Sequence, residues 1–211
     1  MSDTTIEPVA PAARPRLSLR FSARDLLNVA IFAVIYFVVV FAIAMLGIIG
    51  PLVMVVTLPL AAIAAGVPYM LFLTRVRHAG MVTLFGGVLA VLYLMTGQPW
   101  QSTLFTIALA VLADLVLWTG RYRSTWAAIW TYTVFSAWFF GPWIPFFLDP
   151  VAYFTSHGMA DMGEEYVAAM VEVLSPAVVL AMSAAAVVCG FLGALLGTAL
   201  LRKHFRRAGL A

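Results

Sequence analysis

Apolar residues fill this chain in long runs, separated by short gaps marked with Gly and Pro. The runs cover about 24–46, 51–74, 80–96, 101–119, 124–144 and 176–201, with breaks at 47–51, 97–99, 120–123 and 141–145. A hydrocarbon slab of ~30 Å needs about 20 helical residues to cross it. Backbone polar groups in lipid must be satisfied within the segment, so each run predicts a helix. The third run is short and the second contains Pro59 and Pro68, which predicts tilt, kinking or backbone buried in protein. Period-2 alternation is absent, which argues against a β-barrel. The expected fold class is an all-α membrane protein with six transmembrane helices.

Composition agrees with lipid as the main solvent. Of 211 residues, 64% are hydrophobic and 10% are charged, and the mean hydropathy is +1.04. Globular chains carry about 25% charged residues, so a water-soluble globule is excluded. One cysteine rules out a disulfide framework, and three scattered histidines leave no zinc-type spacing. The twelve basic residues then set the orientation. Arg14, Arg16, Arg20 and Arg24 precede the first helix, Arg75 and Arg77 follow the second, and Arg121 and Arg123 follow the fourth. Arg202, Lys203, Arg206 and Arg207 follow the sixth. The opposite connections, 47–50, 97–100 and 145–175, contain no Lys or Arg, and the last carries Asp149, Asp161, Glu164, Glu165 and Glu172. By the positive-inside rule both termini are expected in the cytoplasm, in a multi-pass protein of a bacterial or archaeal cell membrane. The net charge of +3 thus reports topology, and no nucleic-acid partner is expected. Residues 1–20 read as a flexible cytoplasmic tail, 21–205 as one six-helix domain with outer loop 145–175, and 206–211 as a basic cytoplasmic end. The first apolar run is too long for a signal-peptide core and is expected to be retained. No internal repeat is evident, which disfavours a carrier built from inverted halves.

The 145–175 connection is longer than a helix–helix link needs. From Asp161 to Leu174, Tyr166, Met170 and Val173 fall at helical spacing opposite Glu164, Glu165 and Glu172, predicting a short helix on the outer interface that serves as a gating lid or simply as a solvated surface helix. His157, Asp161, Glu164 and Glu165 have the chemistry to meet a cation, and His157 with Met159 or Met162 could ligate a haem; a hydrated acidic loop is the simpler reading. Glu164-Glu165 resembles the paired glutamates of CAAX-type intramembrane proteases, but Ala169 stands where those need arginine, so no enzyme activity is expected. Trp126, Trp130, Val134 and Trp138 recur every four residues along the fifth helix, as a packing or headgroup stripe that leads outward to Trp143. Near the outer surface, Gln98, Trp100, Trp138, Trp143, Tyr153, His157, Glu164 and Glu165 are the candidates for a shared substrate-binding pocket with aromatic walls and a few polar groups. Asp114, the acidic residue well inside a predicted helix, is read as a packing partner for Arg75, Arg77, Arg121 or Arg123, with a proton or cation relay as the alternative. Ala186, Gly190, Gly193, Ala194 and Gly197 mark a close approach on the sixth helix, either to another helix of this chain or to a partner protein.

Four stretches carry a family resemblance: Arg24 to Phe32 opening the first helix, Tyr69 to Val76 closing the second, Ala113-Asp114-Leu115 leading into Gly120 to Ser124, and the terminal Lys203-His204-Phe205-Arg206-Arg207-Ala208-Gly209-Leu210. Together they resemble the MptD, or Trep_Strep, family of S components from energy-coupling factor (ECF) importers. The resemblance implies a substrate-binding S component that requires no cofactor of its own. It would capture a small nutrient (vitamin-like, haem or metal-containing) at the outer face, with uptake driven by an ECF T subunit and two ATPase subunits. The chain has no Walker A loop, so ATP hydrolysis is expected in the partners. S components often dock through an A-x-x-x-A pattern on helix one; here Ala30 and Ala33 are three apart, with Val34 and Phe37 at the four-residue positions. A stand-alone ion-coupled secondary transporter is the alternative class.

Overall fold

The computed structural model describes residues 21–76 and 78–207, apart from the side chains of residues 157, 160 and 204–207; the proposed tail, Arg77 and residues 208–211 lie outside it. Among the described residues there is no strand. Helix α1 (Ala23–Ala44) continues as a 3-10 turn (Met45–Ile49) and is followed by α2 (Pro51–Leu73), α3 (Met81–Met95), α4 (Trp100–Thr119) and α5 (Thr125–Ser136). A 3-10 segment (Ala137–Trp143) prolongs α5. The connection that follows folds into α6 (Ile144–Leu148), α7 (Pro150–Phe154), α8 (His157–Ala160) and α9 (Glu164–Val173), before the long α10 (Pro176–Arg207). Four stretches are long and apolar enough to cross a membrane, Ala23–Ile49, Pro51–Leu73, Trp100–Thr119 and Pro176–Lys203, and α3 is a shorter apolar helix. The described residues thus form an all-helical fold.

Local chemistry sets the helix ends. Ser22 accepts from Asp25 N–H while Asp25 Oδ2 accepts from Ser22 N–H at 3.0 Å, a capping box that starts α1. Pro51 occupies the first turn of α2, where its missing N–H costs nothing. One continuous helix then runs through Pro59 and Pro68. The expected fifth helix, 124–144, is divided instead. Its α-helical part stops at Ser136, where the 3-10 segment brings Gly141 and Pro142 into the chain path. A Cβ on Gly141 would lie 2.7 Å from Ser102 Oγ, so close packing on α4 needs glycine there, and Pro142 supplies no N–H to a regular ladder. The tryptophan stripe is divided too. Each four-residue step overshoots a full turn by about 40°, so Trp126 and Trp130 stay exposed while Trp138 turns into the core.

That core is aromatic. Tyr36 of α1 sits at its centre, with ring centroids of Tyr69, Phe85, Tyr132, Phe135 and Trp138 between 5.6 and 6.5 Å away. Trp138 Nε1–H donates to Tyr36 Oη at 2.9 Å, and Tyr132 O–H donates to the Ala62 carbonyl at 2.6 Å. Both bonds are buried and link separate elements, the first between two side chains and the second from a side chain to a backbone carbonyl. Ala33 is fully buried in this core, which removes it from any outer docking face of α1, while Val34 is exposed.

Between helices in lipid, packing replaces the hydrophobic effect as the source of attraction. Here α10 meets α2 through glycines: a Cβ on Gly66 would fall 2.4 Å from the Gly193 carbonyl carbon, and one on Gly193 would fall 2.7 Å from the Ile63 oxygen. Gly190 is pressed on Ser136 in the same way, and Gly197 on Met70. The small-residue stripe of α10 is thus spent on intramolecular contact. Gly66→Leu or Gly193→Leu forces the helices apart, and each is expected to destabilise by at least ~1–3 kcal/mol, seen as a lower unfolding midpoint in detergent. Gly87→Ala, at a position with open space around it, should leave the midpoint unchanged or slightly raised.

Candidate functional site

The connection between the 3-10 segment and α10 is a built structure. Met170 of α9 is buried with Trp143, Phe146, Leu174, Val179 and Met182 in a second apolar cluster. Tyr166 O–H donates to the Gly47 carbonyl at 2.9 Å, tying α9 to the turn between α1 and α2. The amphipathic helix expected between Asp161 and Leu174 is therefore present as α9, with Glu164, Glu165 and Glu172 exposed and Tyr166 and Met170 turned inward. Glu164 and Glu165 fall in its first turn, where negative charge suits the helix dipole.

Beside this cluster lies a cleft of about 690 Å³, between the α3–α4 link on one side and α6 to α8 on the other. Gln98 and Gln101, the two glutamines of the chain, both line it. Tyr153, Asp149, Met159 and Met162 face them. Pro99, Pro142 and Pro145 give it stiff walls. Asp149 is the one charged side chain among the described residues that line it, and its Oδ1 accepts from Ala152 N–H at 2.9 Å, capping α7. Gln98 Oε1 is shielded from solvent yet has no hydrogen-bond partner among the described residues, and Trp143 Nε1 is in the same condition. Burial pushes the Tyr153 hydroxyl well above the ordinary tyrosine range, so it stays neutral as donor and acceptor. A polar acceptor without a partner, beside a neutral hydroxyl and apolar walls, is an arrangement that orients a small polar ligand.

The sequence-predicted residues divide around this cleft. Gln98 and Tyr153 line it. Trp143 stands one layer behind, its ring 6.0 Å from that of Tyr153. Trp138 lies in the aromatic core, bonded to Tyr36, with its ring tilted against that of Tyr93 at 4.7 Å. Trp100, 63% exposed on the first turn of α4, faces away. Glu164 and Glu165 are outside the lining, and the side chain of His157 lies outside the described residues, although Ser156 and Gly158 on either side line the cleft. Among the described residues no three His, Cys, Asp or Glu gather as a metal site. Gln101 was missed by sequence reasoning. Its signal was the cluster of polar side chains Thr96, Gln98, Gln101 and Ser102, which spans the α3–α4 link and the first turn of α4.

At the opposite end of the bundle Asp114 is 6% exposed, and its partners differ from the arginines expected of it. Its Oδ2 accepts from Gly80 N–H at 2.7 Å, Thr83 N–H at 3.3 Å and Thr83 O–H at 3.1 Å. Tyr122 O–H donates to Oδ1 at 3.3 Å. Gly80 precedes α3 in a left-handed conformation (φ 91°) and has no side chain with which to cap it. The α4 carboxylate thus caps α3 from outside, satisfying donors the helix leaves open and meeting the positive end of its dipole. Burial pushes the Tyr122 hydroxyl well up, and the Asp114 charge beside it pushes it further, so Tyr122 remains a donor. Asp114→Ala orphans these donors and is expected to cost about 1–3 kcal/mol, while Asp114→Asn, which keeps one acceptor, should cost less; unfolding midpoints of the purified variants measure both.

Comparison with curated proteins and with solved structures finds no match. A family model described as a hypothetical bacterial integral membrane protein, Trep_Strep, matches residues 23–207, from the first residue of α1 to the last of α10. The chain belongs to the Trep_Strep family of bacterial integral membrane proteins.

Proposed function

We propose that this protein is the substrate-binding S component of an ECF-type importer. In this reading the chain crosses the membrane six times with both termini in the cytoplasm, and captures a small nutrient at the outer cleft. A T subunit and two ATPase subunits then drive uptake, and the chain itself catalyses no reaction. The outer cleft is the observation that carries the reading. It is of ligand size, rigid-walled and set between helices, as sites for small molecules are. Charge placement supports the orientation. Arg123 and Arg202 line one cleft and Lys203 an adjoining one, at the end opposite to Gln98 and Asp149. In the 3-10 segment and α5, residues 125–143 form a helical path of crossing length, which supports a further span beside the four long ones and α3.

The lining suits a neutral or cationic amphiphile more than an anion. Amide, hydroxyl and thioether groups are present with one carboxylate, and no Lys or Arg faces the space among the described residues. A haem or metal chelate remains within the class as cargo, entering with its metal already held.

Native mass spectrometry of freshly purified protein tests the cleft: one small molecule per chain is expected, lost from Gln98→Ala, Gln101→Ala and Tyr153→Ala at about tenfold or more in affinity. Trp100→Ala and Glu164→Gln should bind as the unmodified protein does. Co-purification with a T subunit and two ATPases tests the importer assignment separately. Uptake that persists without those subunits would overturn it in favour of a carrier working alone.

A further inference from the structure

At the end of the bundle that carries arginine and lysine, two adjoining clefts of about 490 and 930 Å³ lie between the start of α5 and the last turns of α10. Thr125, Thr198 and Arg202 line both, so they share one wall. The first has an apolar floor of Met70, Leu117, Ala128 and Leu201 and a rim that includes Arg123. Lys203 and Trp126 line the second. No carboxylate lines either cleft among the described residues. Arg123, Arg202 and Lys203 are all exposed, and none of them pairs with a carboxylate among the described residues.

The turn leading into this site is unusual. Arg121 and Tyr122 both adopt left-handed backbone, φ 51° and 57°, which side chains with a Cβ seldom take. This turn sends Tyr122 to Asp114 and leaves Arg123 on the cleft rim. Ser124 caps α5 by accepting from Ala127 N–H, which places the start of α5, with Thr125, at both clefts.

We propose that these clefts form a specific site for an anionic phospholipid, with the headgroup phosphate between Arg123 and Arg202, Lys203 beside it, and an acyl chain along the apolar floor. Cationic side chains, hydroxyls and a helix N-terminus supply the phosphate chemistry. The flank identifies the source of that phosphate as lipid: Trp126 and Trp130 are 62% and 51% exposed, and exposed Leu195 of α10 lines the second cleft with Trp126, so the cleft opens onto an apolar surface made for the bilayer. A free phosphate would leave this floor without an occupant.

The test is native mass spectrometry of the full chain, released from detergent with phosphatidylglycerol or with phosphatidylcholine of the same acyl chains. One phosphatidylglycerol per chain is expected to be retained, about tenfold more tightly than phosphatidylcholine. Arg123→Gln with Arg202→Gln should abolish that preference, and Arg75→Gln, at the same end but outside both clefts, should preserve it. Ala128→Trp, which fills the floor and alters no charge, should weaken retention by about tenfold; a merely electrostatic surface association would ignore it. Unfolding midpoints of each variant confirm the fold, and a destabilised Ala128→Trp leaves the arginine pair to decide. Equal retention of the two lipids, or retention indifferent to the arginine substitutions, overturns the site. Binding of inorganic phosphate alone, with the same dependence on Arg123 and Arg202, overturns the lipid assignment.

Discussion

Backbone contact between α2 and α10 is the constraint on which this structure depends. Lipid gives two helices no hydrophobic reason to associate, so they must gain contact area by close approach, and Gly66 against Gly193 makes that approach possible. The consequence reaches across the molecule. With α10 seated on α2, Gly190 meets Ser136 and the α5 ring of Tyr132 reaches the Ala62 carbonyl. Tyr36, Trp138 and their neighbours then close around a centre that is polar at its hydroxyls and apolar everywhere else. Glycines thus position an aromatic core that lies in another part of the sequence.

Charge is handled with similar economy. A carboxylate inside a membrane bundle costs several kcal/mol if left alone. Asp114 is placed where four donor contacts from α3 and Tyr122 already need an acceptor, so one group removes two difficulties. This also accounts for glycine before α3: a Cβ at Gly80 would lie 3.1 Å from the Phe21 ring, and the left-handed backbone there brings the N–H onto the carboxylate. The residue is accordingly best understood as a structural cap, and a relay role would have to break these bonds on each cycle.

The two ends of the molecule therefore differ in chemistry. One has a cleft with amides, a tyrosine, methionines and a single aspartate; the other has clefts rimmed by arginine and lysine. That polarity fits a protein that meets a small solute on one side and an anionic surface on the other.

Hydrophobic run length specified the all-helical class and the boundaries of most of the long helices within a few residues, because in lipid the backbone must satisfy itself locally; the amphipathic character of α9 came instead from the helical spacing of its apolar and acidic residues. The chain pattern of charges likewise separated a basic end from an acidic one. Tertiary structure decided what lies beside what. Spacing placed Trp138 near an outer pocket, yet the switch to 3-10 geometry and the drift of a four-residue repeat turned it into the core. Asp114 had several arginines within sequence reach, but the α3 N-terminus lay closer in space. Gln101 joined Gln98 because α6 to α8 fold back over the α3–α4 link, a contact between segments some fifty residues apart that no local periodicity encodes.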